Sequence, residues 1–367
     1  MRFLTFLGMR SSYFRTIVTL TPPLGTTMDE KKLTLEEQMM ARAIENAEKA
    51  RPRCMPNPWV GAVLVSPNGQ IFDGFTQEFG RGHAETVCLD EAGQKAQGAT
   101  LYVTLEPCSH IGKTGPCVER IIENQISRVV IGMKDPDSQV YGEGIKSLQN
   151  AGIEVVVGVL EGRIAQQLAP YVHHRTTGRP YVILKIATTL DGKIAAPDGS
   201  SQWITGPEAR REGHRLRAFS DAICVGKGTV ISDNPQLTVR DWKPTDGIKE
   251  NLDPKRIVLG TVPPEAAIHP CYEFKGDITN LLSELGDEGV LQLLVEGGAS
   301  TYKAFHDLGL VNEYQLFLAP AFMAGNDGVG IFAGGGPHTI SEIWRGRIQE
   351  VVELGKDIKV TVVPEHN

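Results

Sequence analysis

His83-Ala84-Glu85 and the run Thr104-Leu105-Glu106-Pro107-Cys108-Ser109-His110-Ile111-Gly112-Lys113-Thr114-Gly115-Pro116-Cys117 decide how this 367-residue chain is read. Together they supply one imidazole and two thiolates. Three borderline or soft ligands with a fourth position left to water describe a catalytic zinc site, because a closed four-ligand site leaves no room for chemistry. Glu85 stands two residues from His83, too close in sequence to ligate easily, and suits a proton carrier beside the metal. Lone Cys residues are usually structural, and Cys54, Cys88, Cys224 and Cys271 are read so. His110 is read as a pocket residue, since the set of three is complete without it. Gly112-Lys113-Thr114 is no phosphate-binding Walker loop, because Pro107 occupies the place of its first glycine.

The flanking sequence sets this constellation in an α/β frame. Thr34-Leu35-Glu36-Glu37 is a capping-box pattern, and Met39, Met40, Ala43, Ile44 and Ala47 follow at helical spacing, so a helix is expected from Leu35 to Ala50. Two apolar runs, Trp59 to Val65 and Gln70 to Phe75, flank Pro67-Asn68-Gly69 and read as a β-hairpin. A helix from His83, a strand from Thr100, a helix near Pro116, a strand from Ser127 and a further helix and strand ending at Val157 then alternate. That rhythm implies an α/β sandwich with a largely parallel sheet. Helix N-termini at His83 and Cys117 would bring free backbone N–H groups to thiolate and carboxylate charge.

A short helix, Glu161 to Leu168, leads to the polar stretch Tyr171 to Pro180, which reads as an interdomain linker. The pattern then restarts, with strands expected at Tyr181 to Ile186, Ala222 to Val225, Arg256 to Leu259, Leu291 to Val295, Tyr314 to Leu318 and Ile358 to Val363. A turn is expected at Asp191-Gly192 and a helix from Gly206 to Phe219. Gly226-Lys227-Gly228-Thr229 and Glu296-Gly297-Gly298 each follow a strand as phosphate-compatible glycine turns, though lone loops of this kind are more often plain turns.

Composition bounds the function. Hydrophobic residues make up 41% of the chain, enough for two or three domains. A net charge of -7, from 44 acidic and 37 basic residues, is the wrong sign for holding nucleic acid over a broad surface. Six sparse cysteines point to a reducing compartment rather than a disulfide scaffold, and a cytoplasmic location is expected. No run of about 18 apolar residues is present, so no membrane partner is expected. Residues 1–27 are rich in Ser, Thr and Phe with no carboxylate; they read equally as a transit-like leader or as an unstructured extension ahead of Met28.

The pattern His-x-Glu with a later Pro-Cys-x-x-Cys marks zinc-dependent nucleobase deaminases. Here the second cysteine lies nine positions after the first, so the general pattern is not met. The wider context supplies the match. The run Thr104–Cys117, with Pro56-Asn57-Pro58-Trp59-Val60-Gly61-Ala62-Val63, resembles the deaminase half of bifunctional riboflavin-biosynthesis deaminase/reductases, where the long Cys spacing is the norm. The resemblance implies a cytidine-deaminase-like three-layer sandwich over residues 28–172, with His83, Cys108 and Cys117 on zinc, Glu85 catalytic, and Asn57 on the substrate base.

Further segments in order resemble the reductase half of the same family: Pro180 to Lys185, Thr189 to Ala195, Ser201 to Thr205, Leu216 to Ala218, Asp233 to Arg240 and Val295 to Gly298. The resemblance implies a dihydrofolate-reductase-like α/β domain over 173–367 that uses NADPH. Ala187, Trp203, Thr229, Asp233, Gly297 and Gly298 would line that cofactor. Lys185, Ser201, Arg217, Leu237, Arg240 and Glu296 would face a phosphorylated pyrimidine, with Arg217 and Arg240 as candidate phosphate donors. A homo-oligomer is expected.

Three departures stand out. Thr76 occupies a position where the family usually has His, Gly260 one where it has Asp, and the interval 256–296 is short by about 30 residues, room for a strand and a helix at roughly 3.3 Å per extended residue. A deaminase with a non-catalytic second half and a nucleic-acid base deaminase are the alternatives.

Overall fold

The computed structural model describes residues 33–109, 115–137, 140–244 and 252–365. The leader 1–27 and His110 lie outside the described residues. Helix α1 (Leu35–Ala50) starts where Thr34 Oγ1 accepts the Glu37 N–H at 3.2 Å and Glu37 returns the bond to the Thr34 N–H at 2.8 Å. Its apolar stripe, Met40, Ala43, Ala47 and Ala50, is fully buried.

Five strands form the first sheet: β1 (Gly61–Val65), β2 (Ile71–Phe75), β3 (Thr100–Leu105), β4 (Arg128–Met133) and β5 (Glu154–Val157). Their order is β2-β1-β3-β4-β5. β1 pairs antiparallel with both neighbours, and β3, β4 and β5 run parallel, so the sheet is mixed rather than largely parallel. The hairpin expected at Asn68-Gly69 is the cause, because it adds two antiparallel pairs. Between the strands lie α2 (Ala84–Ala92), α3 (Cys117–Glu123), α4 (Glu143–Asn150) and, after β5, α5 (Glu161–Gln167). A Cβ on Gly61 would meet Ala43 O at 1.9 Å, while one on Gly74 would meet Ala84 O at 2.2 Å. These residues point to opposite faces, so α1 and α2 sandwich the sheet in three layers.

The stretch Tyr171 to Pro180, expected as a linker, instead continues as helix α6 (Ala169–Thr177). Its polar side chains have partners on both sides: Tyr171 reaches Asp135, and His174 Nε2 donates to Gly286 O at 3.0 Å. Polarity here reflects a bridging element and not a solvated one.

The second sheet has eight strands in the order β10-β9-β8-β11-β6-β12-β15-β14. In chain order the second half runs β6 (Tyr181–Thr189), β7 (Lys193–Ala195), α7 (Pro207–Ala218), β8 (Ala222–Gly226), α8 (Lys227–Asp233), β9 (Lys255–Leu259), β10 (Tyr272–Phe274) and α9 (Ile278–Asp287). It continues β11 (Gln292–Val295), α10 (Ala299–Asp307), β12 (Glu313–Ala319), β13 (Val329–Gly330), β14 (Gly346–Leu354) and β15 (Asp357–Pro364). Strands from β10 to β12 are parallel; β15 and β14 close the sheet antiparallel. The Gly226-Lys227-Gly228-Thr229 turn proves to open α8. The interval 256–296 holds most of β9 with all of β10, α9 and β11.

Alternation along the central strands explains the packing. Val182, Leu184 and Ile186 join Leu281, Leu285 and Phe305 in one apolar layer, and Ile183 joins Ala209, Leu216 and Val230 in the other. Successive residues face opposite sides of a strand, so helices cover both faces. The two halves also touch directly. Arg51 lies between the rings of Trp59 and Phe219, at 4.8 and 5.0 Å, and its Nη2 donates to Gln292 Oε1 at 3.0 Å. No helix among the described residues is long and apolar enough to cross a membrane.

Candidate active sites

Two cavities open at the carboxyl ends of parallel strands, where open α/β sheets leave a crevice for ligands. The smaller, about 150 Å³, is walled by residues that follow β3 and β4, by the start of α2, and by α6. His83 is the N-cap of α2 and Glu85 sits in its first turn. Cys108 follows β3, and Cys117 opens α3.

These elements converge on one point. His83 Nδ1 lies 3.5 Å from Cys108 Sγ and 3.3 Å from Cys117 Sγ, and the three ligand atoms all fall within 4.8 Å of one another. Zn–S of about 2.3 Å and Zn–N of about 2.0–2.1 Å at tetrahedral angles set N···S near about 3.6 Å, so the trio fits a zinc ion. The Cys117 N–H donates to Cys108 Sγ at 3.4 Å. Hydrogen bonds from Cys117 and His83 outweigh burial and favour the Cys108 thiolate, while the contact with Cys108, together with burial, pushes the Cys117 thiol up. Burial raises the Glu85 carboxyl above its ordinary value, which suits a group that must carry a proton near neutrality.

Glu106 fixes the loop opposite. Its buried carboxylate accepts backbone N–H bonds from Asp135, Gly142 and Ile145 at 3.3, 3.0 and 3.1 Å, tying the segment after β4 to the chain just before Cys108. Asn57 and Thr76 line the same cavity. So do Asp135, Asp137, Tyr171 and Arg175, which the sequence reading missed. Tyr171 donates its hydroxyl to Asp135 at 3.0 Å, and burial raises Asp135 to about 6. Their signal was weak, because α6 reads as polar linker and no spacing ties it to His83.

The larger cavity, about 750 Å³, gathers all twelve reductase positions expected from sequence. Lys185 and Ala187 lie on β6, Arg217 on α7, Thr229 and Asp233 on α8, and Glu296, Gly297 and Gly298 just past β11. Ser201, Trp203, Leu237 and Arg240 come from the intervening loops. Arg217 is engaged within the protein: Nε and Nη2 reach Glu296 at 2.7 and 2.9 Å, and Nη1 donates to Thr238 O at 3.1 Å. Burial would raise Glu296, but Arg217 and then Lys185 hold it down to about 2. Arg240 is exposed at the rim, and the contacts of its guanidinium among the described residues are to the neutral oxygens of Gln236 and Thr238, whereas Arg217 is paired with a carboxylate. Trp203 is 70% exposed, with the Arg210 guanidinium 4.7 Å from its ring. Tyr302, also missed, lines the cavity and donates to Lys185 O at 2.8 Å.

Comparison with known proteins matches each half of the chain to a family. The family model for the cytidine and deoxycytidylate deaminase zinc-binding region matches residues 33–133, and that for the RibD C-terminal domain matches 180–360. The chain is 36% identical to the riboflavin biosynthesis protein RibD of Bacillus amyloliquefaciens, over 90% of this chain and 97% of that one. Against the protein of the same name from Escherichia coli K12 it is 35% identical, over 89% and 99%. Among solved structures, Acinetobacter baumannii RibD superposes with a TM-score of 0.83 at 34% identity, covering 90% of this chain and 99% of that one. A Thermotoga maritima diaminohydroxyphosphoribosylaminopyrimidine deaminase/5-amino-6-(5-phosphoribosylamino)uracil reductase gives 0.80 at 35%, with the same coverage.

Proposed function

The chain belongs to the bifunctional riboflavin-biosynthesis deaminase/reductase family, and from that premise we propose that Glu85 and the His83, Cys108, Cys117 trio run its deaminase while the larger cavity runs its reductase. It is an enzyme of riboflavin biosynthesis with Zn2+ and NADPH as cofactors, and both catalytic halves are present. The deaminase-only and nucleic-acid alternatives are therefore set aside. The observation that carries the residue assignment is the convergence of three metal-binding atoms beside a buried carboxyl.

The first reaction is hydrolytic deamination of 2,5-diamino-6-(5-phosphoribosylamino)pyrimidin-4-one. When bound, zinc lowers the pKa of a water it holds towards neutrality. Glu85 would take one proton of the attacking water and hand it to the ring nitrogen as the new C–O bond forms, then carry the remaining proton of that oxygen to the amine, so that the C–N bond breaks, the carbonyl forms and ammonia leaves. Asn57 hydrogen-bonds the base and fixes which carbon is presented. The product is 5-amino-6-(5-phosphoribosylamino)uracil, with ammonia released.

The second reaction reduces the ribosyl group to ribityl. When bound, NADPH supplies the hydride, and placement of the two carbons matters more than a strong acid or base. Ala187, Trp203, Thr229, Asp233, Gly297 and Gly298 hold the cofactor. Ser201, Leu237 and Lys185 line the substrate side, Arg240 supplies a cation for the phosphate, and Glu296 orients Arg217.

The halves are put at residues 28–172 and 173–367, a division supported by the five-stranded sheet before α6 and the eight-stranded sheet after it, although the boundary itself falls within that helix. A cytoplasmic location accords with six unpaired thiols. A homo-oligomer accords with the exposed Trp344, just before the edge strand β14, and the exposed Ile348 on it. Light scattering on the purified chain tests it. For the function, zinc content, ammonia release and NADPH oxidation measured on one preparation are the test; a zinc-loaded chain inert on both substrates would refute it.

A further inference from the structure

We propose that Arg175, carried on the helix that joins the two halves, reads the phosphoribosyl tail of the substrate in the deaminase cavity and sets its preference for the phosphorylated form. The inference rests on the deaminase reading above and deepens it. Arg is well suited to hold a phosphate through charge-assisted, bidentate hydrogen bonds. Among the described residues lining this cavity, His83 belongs to the metal trio and Arg175 is the one permanent cation. Thr76 stands where the family usually has His, and it cannot take over that part: its hydroxyl is neutral, buried and committed to Val60, accepting from the N–H at 3.2 Å and donating to the C=O at 3.4 Å.

Arg175 is held in place from both halves. Its Nε lies 3.2 Å from Asp137 Oδ2, and its guanidinium carbon is 4.9 Å from the Tyr171 ring. Nη1 donates to His174 Nδ1 at 3.0 Å. That nitrogen can accept because the other ring nitrogen of His174 donates to Gly286 O, on α9 of the second half. A guanidinium has five N–H bonds, and the contacts with Asp137 and His174 engage only part of the fork. Four carboxylates line the cavity: Asp137 pairs with Arg175 itself, Asp135 accepts from Tyr171, Glu106 accepts three backbone N–H groups, and Glu85 is assigned to the metal site. A phosphate oxygen therefore meets an oriented donor whose neighbouring carboxylates are already engaged.

The test compares deamination of the phosphorylated substrate with that of its dephosphorylated riboside, in wild type, Arg175→Met and Arg175→Lys. Losing a charge-assisted contact is expected to raise KM for the phosphorylated substrate about ten- to a hundredfold, with kcat within about twofold. KM for the riboside stays unchanged, Lys recovers part of the loss, and zinc content and NADPH oxidation stay at wild-type levels. Equal KM changes for both substrates, or none, would overturn the proposal. Wild type that releases ammonia from neither compound would instead sink the deaminase reading itself. If Arg175→Met fails to fold, competition on wild type decides: ribose 5-phosphate must inhibit deamination far better than ribose, and Arg175→Lys must weaken that difference. Equal inhibition by the two sugars counts against Arg175.

Discussion

Arg217 and Glu296 meet fork to fork at the floor of the larger cavity, Nε to Oε1 at 2.7 Å and Nη2 to Oε2 at 2.9 Å. Lys185 Nζ stands 3.8 Å from the same carboxylate. One anion thus balances two cations in a site where the three side chains are mostly buried. Breaking a buried pair by removing one partner costs roughly 3–5 kcal/mol. Glu296→Gln leaves two unbalanced cations, whereas Arg217→Ala leaves Glu296 with Lys185. Denaturant unfolding should therefore rank Glu296→Gln as the more damaging change, and NADPH oxidation should fall in both while ammonia release persists.

The same pair sets an acid limb. Glu296 is held down to about 2 against an ordinary 4.5, so its folded value lies below its unfolded one. A depressed carboxylate contributes stability that is fully present above about pH 4.5 and is lost as pH falls towards 2. Unfolding free energies of wild type and Glu296→Gln should differ most above pH 4.5 and converge below it. A gap that stays constant down to pH 2 would contradict the assignment. Glu212, also held down to about 2 beside Arg215 and Lys359, keeps its own acid limb in both proteins.

Metal removal should separate the halves. A chelator, or Cys117→Ser, is expected to take ammonia release to background while NADPH oxidation on the deaminated compound stays within about twofold, since the trio and the larger cavity share no residues. Restored zinc should rescue the chelated protein.

Packing between the halves depends on Gly286, where an added Cβ would lie 1.9 Å from Gly178 O. Gly286→Ala must push α9 away from the end of α6 at a cost of typically about 1–3 kcal/mol. Chemical denaturation should show the loss, and zinc content should not change.

The sequence was most legible where local rules act alone. Thr34 and Glu37 place the start of α1, Asn68-Gly69 the hairpin, and His83, Cys108 and Cys117 the metal trio, with Glu85 lining the same cavity. The reductase positions were legible only through resemblance, because Lys185, Arg217 and Glu296 come from three separate elements whose meeting no spacing encodes. The misreading of α6 as a linker has a physical source. Tyr171, His174 and Arg175 are polar because they bind partners in both halves, and from sequence such a helix cannot be told from a solvated linker. Pairing of Arg217 with Glu296 was likewise hidden from the sequence, because no spacing links the two.

Glu85→Gln, assayed as the zinc-loaded full chain on the diamino substrate and separately on the deaminated compound, tests the central claim most directly. The variant should keep its zinc, lose ammonia release by about 10²–10⁴-fold, and oxidise NADPH on the deaminated compound at the wild-type rate. Wild-type ammonia release from Glu85→Gln, or no NADPH oxidation by either protein on the deaminated compound, would contradict it.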